Sequence, residues 1–93
     1  MLSKDWKNPQ FMRIKPLKSD LRKFLTKHNL IKKFHKQSKL FIQDTRYPSL
    51  NTERLEPKHL KIYSFRIDRK YRAIFIFTSN QEVEIIDINL HYQ

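Results

Sequence analysis

Not one of the 93 residues is glycine. That exclusion constrains the fold more than any other feature of the chain. Every turn that needs a positive φ must be built from a residue carrying a Cβ, with Asn or Asp the least costly choice and a strained Lys the next. Asn29, Asn51, Asn80 and Asn89 are the natural candidates. Gly-rich phosphate loops and dinucleotide fingerprints are excluded in the same step, so any anion site must come from side chains and helix ends. Cysteine is absent as well, which removes disulfides, thiolate metal sites and a thiol nucleophile.

The length suits one domain with one core. Residues 1–10 read as an N-terminal extension and 11–93 as a single domain. Phe11 to Lys15 alternates as a first strand, which Pro16 ends. Ser19 is placed to cap a short helix carrying Leu21, Phe24 and Leu25. After Asn29 a longer helix is expected from about Leu30 to Asp44, with Ile31, Phe34, Ser38 and Phe41 on its inner stripe. Tyr47 to Lys61 reads as a long loop, and long ordered loops are often functional. Strands are expected over about Ile62–Asp68, Tyr71–Thr78 and Glu82–Ile88, the last two joined by a hairpin turn at Thr78-Ser79-Asn80-Gln81. The order β-α-α-β-β-β predicts an α+β domain, with two helices packed on a mostly antiparallel, roughly four-stranded sheet. The longest apolar run, Ala73 to Phe77, is far too short to span a membrane. MLSKDWKNPQ lacks the apolar core of a signal peptide, so a cytoplasmic protein without membrane association is expected.

Two strand residues do not fit a purely structural account. In YSFRIDRKYRAIFIF (Tyr63 to Phe77), the period of two puts Ser64 and Arg66 on one face and Phe65 on the other. A three-residue turn at Asp68-Arg69-Lys70 sets Arg66 directly opposite Arg72, and like charges so placed repel. An anion between them offsets that repulsion, and the planar guanidinium fork matches phosphate oxygens. The alternative is a solvated sheet face with two surface arginines. Overall charge points the same way as the anion. Twenty Lys and Arg against nine Asp and Glu give +11, a balance that favours polyanionic partners, nucleic acid foremost. Arg22, Lys23, Lys27, Lys32, Lys33, Lys36 and Lys39 add basic helix faces. His91 and Tyr92 close the chain with a group that titrates near neutrality and a ring able to stack on a base.

Taken in order, Leu55, YSFRI at Tyr63 to Ile67, YRAIF at Tyr71 to Phe75 and the closing His91-Tyr92 resemble the RelE/ParE superfamily of toxins. Within it they look most like the YoeB-like mRNA interferases of type II toxin–antitoxin systems. The resemblance covers about residues 11 to 92 and implies a ribosome-dependent endoribonuclease that cleaves mRNA without metal or other cofactor and arrests translation. Glu53 falls at the general-base position if the spacing to YSFRI is ungapped, which also aligns Leu55; Glu56 takes that place if a gap is allowed. The resemblance further implies that Arg72 stabilises the transition state, that Arg66 orients the phosphate, that His91 acts as general acid and that Tyr92 positions the nucleotide. Lys61 and Arg69 are expected to add substrate contacts. Implied partners are the ribosome, mRNA and an acidic antitoxin in a hetero-oligomer. Two other readings stay open: a non-catalytic ParE-like toxin that poisons DNA gyrase, and a plain basic RNA-binding domain.

Overall fold

In the computed structural model, residues 11–90 are described; the N-terminal extension, His91 and Tyr92 lie outside them. The strands are β1 (Arg13–Ile14), β2 (Glu53–Arg54), β3 (Tyr63–Arg66), β4 (Tyr71–Ser79) and β5 (Glu82–Leu90). The helices are α1 (Ser19–Lys27) and α2 (Ile31–Gln43). Sheet order is β1-β5-β4-β3-β2, with every neighbouring pair antiparallel except β1 with β5. The α+β class and the element order match expectation. The sheet has five strands rather than about four, because the Tyr47–Lys61 loop contributes β2 as an edge strand.

One face of the sheet carries the core. Phe41 of α2 meets Phe65 at 4.9 Å between ring centroids and Phe75 at 5.1 Å. Leu21 and Leu25 of α1 and Val83, Ile85 and Ile88 of β5 complete it. Phe65 and Ala73 oppose each other across β3 and β4 on this side. Their sequence neighbours Ser64, Arg66 and Arg72 must therefore point to the other side.

The missing glycines are replaced much as expected. Asn29, Asn51 and Lys61 have positive φ, at 59°, 45° and 57°. Asn29 separates the helices, while Asn51 and Lys61 each end a single 3-10 turn, Pro48–Leu50 and Lys58–Leu60. Asn80 and Asn89 do not take that conformation. At the β4–β5 turn, a register shift between Phe77 and Ser79 supplies the extra twist instead.

Three local expectations are corrected. Ser19 is the first helical residue rather than the cap of α1; Lys18 holds the cap position without a side-chain hydrogen bond. The first strand shrinks to two residues, since the Met12 N–H is drawn to the Ile42 carbonyl at the end of α2. On α2 it is Gln37 that is buried beside Phe34 and Phe41, while Ser38, on the opposite margin of the stripe, is half-buried.

Candidate active site

The β3–β4 hairpin has the expected register: Arg66 pairs with Arg72 and Ser64 with Ile74. Asp68 closes the turn by accepting the N–H groups of Lys70 and Tyr71, both at 2.8 Å. β2 then pairs Glu53 with Ser64. Opposed residues in a ladder point the same way, so Glu53, Ser64, Arg66 and Arg72 share the face away from the helices.

Arg72 is the centre of this group. It is 4 % exposed, an extreme burial for an arginine. Its Nε donates to Ser64 Oγ at 2.8 Å. Nη2 donates to the Asn51 carbonyl at 2.6 Å and, more weakly, to the Ser64 carbonyl at 3.5 Å. Nη1 is buried and, among the described residues, has no hydrogen-bond partner. Burial pulls the guanidinium below its ordinary pKa, Glu53 pushes it back up, and Arg66 adds to the lowering. The group stays cationic, with part of its donor capacity unused.

The polypeptide around it is braced from α2. Gln37 Nε2 donates to the Arg66 carbonyl at 2.8 Å and to the Ser49 carbonyl at 3.2 Å. One buried amide thus ties β3 to the turn that presents Asn51. Thr52 Oγ1 adds a 2.6 Å bond to the Thr45 carbonyl.

The sequence-predicted residues fall into three groups. Glu53, Arg66 and Arg72 share one face. Glu56 instead sits on an exposed bend and pairs with Lys58 at 3.6 Å. Lys61 is exposed in its left-handed turn, and Arg69 lines a small cleft with Lys33, Asp68 and Lys70 at the hairpin tip. Among the described residues, no hydrogen bond or ion pair joins either of them to Arg72. His91 and Tyr92 lie outside the described residues. Ser64, Asn51 and Gln37 were missed as site residues, although the period of two put Ser64 on the arginine face and the lack of glycine marked Asn51 as a turn. Among the described residues no group of three His, Asp or Glu is placed to hold a metal ion, and no helix is long and apolar enough to cross a membrane.

The same architecture occurs in solved toxin structures. A YoeB/ParE toxin from Agrobacterium tumefaciens superposes with a TM-score of 0.64 at 18% identity, over 88% of this chain and 99% of that one. This chain has the YoeB/ParE toxin fold. The heterotetrameric YoeB–YefM toxin–antitoxin complex from Staphylococcus aureus gives 0.62 at 18% identity, over 87% and 95%. The YoeB dimer from the same organism gives 0.57 at 19% identity, over 90% and 99%. No family model and no curated protein matches the sequence.

Proposed function

We propose that the chain is the toxin of a toxin–antitoxin pair and a ribosome-dependent endoribonuclease acting on mRNA. The observation that carries this reading is the buried, half-satisfied guanidinium of Arg72, with Glu53 and Arg66 on the same face. A buried donor left unpaired costs about 1–3 kcal/mol. Nη1 is covered in the free protein, so the substrate must displace that cover. A phosphate oxygen that then bonds Nη1 offsets the cost, and the benefit grows as negative charge accumulates on phosphorus in the transition state.

In the proposed reaction the Glu53 carboxylate takes the proton of a ribose 2′-OH. The 2′-oxygen attacks the adjacent phosphorus, Arg72 and Arg66 hold the non-bridging oxygens, and the P–O5′ bond breaks. His91 gives a proton to the departing 5′-oxygen while Tyr92 positions the nucleotide. The products are a 2′,3′-cyclic phosphate and a 5′-OH. The nucleophile belongs to the substrate, so much of the advantage is proximity. Glu53 is favoured over Glu56 as base by its place on the arginine face. The proposed partner is an acidic antitoxin on the basic helices, a charge match that speeds association.

The direct test adds purified protein to translating ribosomes and maps transcript ends. Cleavage within ribosome-bound codons, lost in Glu53→Gln and His91→Ala, is expected. Intact transcripts alongside unimpaired translation overturn the reading.

A further inference from the structure

The helices stop short of one end of the sheet. α2 ends at Gln43, just beyond Phe41, which covers Phe75. The next residue of β4 on that face, Phe77, is 42 % exposed. Its ring meets Tyr63 edge-on at 5.2 Å, and Tyr63 stacks on Phe75 at 5.6 Å. Arg46, Thr52, Glu53 and Arg54 wall a cavity of about 330 Å³ above this aromatic floor.

The walls have a definite chemistry. Arg54 donates from Nε and Nη2 to the Lys58 carbonyl, at 3.0 and 2.7 Å, which holds its guanidinium 5.8 Å from the Tyr63 ring centroid. Arg46 is exposed. Among the described residues neither arginine is in an ion pair. The volume lies at the small end for ligand pockets, which suits one planar ring rather than a larger ligand. Aromatic floors flanked by cations are how single-stranded nucleic acid is gripped, with a base on the ring and phosphate on the arginine.

We propose that this pocket is a nucleotide subsite, stacking one unpaired RNA base on Phe77 with Tyr63 against the edge of the base and its phosphate at Arg46. The proposal rests on the reading of the chain as an RNA-cleaving toxin. Glu53 belongs to the edge strand that separates the pocket from the Arg72 face. A strand crossing that edge places the bound nucleotide next to the scissile link.

The test measures fluorescence anisotropy of a labelled, 2′-O-methylated single-stranded trinucleotide, which cannot be cleaved. Phe77→Ala and Arg46→Ala change exposed residues, and thermal melting checks that both fold. Each is expected to weaken binding about tenfold, Phe77→Ala through the lost stacking of one base and Arg46→Ala through the lost phosphate contact. Unchanged affinity in either variant, or no binding by the unaltered protein, overturns the subsite. So does loss of self-association in Phe77→Ala with affinity intact, which would assign the floor to a second copy. Transcript cleavage scored in parallel separates the two ideas. Cleavage with Phe77-independent binding removes the subsite alone, and Phe77-dependent binding without cleavage removes the nuclease alone.

Discussion

Arg72 and Asn51 lie 21 positions apart, and the 2.6 Å bond from Nη2 to the Asn51 carbonyl joins the hairpin to the glycine-free turn. The left-handed backbone of Asn51, φ 45° and ψ 52°, directs the chain there. A conformational constraint written into the composition therefore sets the surroundings of the candidate catalytic cation.

Replacing that cation conservatively separates charge from geometry. Arg72→Lys keeps a positive charge but cannot reach Ser64 Oγ and the Asn51 carbonyl with one planar fork. Transcript cleavage by ribosome-bound protein is expected to fall about 100-fold or more, the usual cost of losing a preorganised donor. Full activity in this variant would remove Arg72 from the mechanism.

The two left-handed turns after the helices make opposite predictions. Asn51→Ala puts an unassisted Cβ into αL geometry and is expected to cost about 1 kcal/mol. Lys61→Gly relieves a residue already strained at φ 57°, so it is expected to be neutral or to stabilise by less than about 1 kcal/mol. Urea unfolding midpoints of the two variants decide the matter.

Gln37 offers a third test. Gln37→Leu fills the same space but leaves the Arg66 and Ser49 carbonyls without their donor. A loss of about 1–3 kcal/mol is expected in equilibrium unfolding. Because the amide braces both sides of the Arg72 group, cleavage should fall further than the lowered stability accounts for at a temperature where the variant is fully folded.

Much of this was legible in the residues themselves. Alternation in YSFRIDRKYRAIFIF, with a three-residue turn, fixed the Arg66–Arg72 pairing now seen in the ladder. Other features had no local signature. β2 is two residues long and exists because β3 offers an open edge, which no periodicity can announce. Gln37 and Ser38 flank the same apolar stripe, and only the position of the Pro48–Leu50 turn decides which is buried. Arg72 could be placed on a face by period two, but its burial depends on how the loop bearing Asn51 folds, a tertiary outcome.

Acid should reveal the hairpin turn. Asp68 is pushed up by burial, but the N–H groups of Tyr71 and Lys70 and the Lys33 ammonium, 3.1 Å away, outweigh that and hold it below its ordinary value. A carboxylate whose folded pKa is depressed contributes stability that is fully present above its unfolded value of 3.8 and disappears as pH falls through the lower, folded value. Asp68→Asn keeps an acceptor for the turn but loses the charge. The variant should therefore be less stable than the parent at pH 7, by up to about 1 kcal/mol. That gap should narrow below 3.8 and close once pH has passed the lower, folded value, where the parent carboxyl is protonated too. Urea titrations at a series of pH values measure the gap, and one that stays constant down to the acid limit would show that the Asp68 charge contributes nothing to the hairpin.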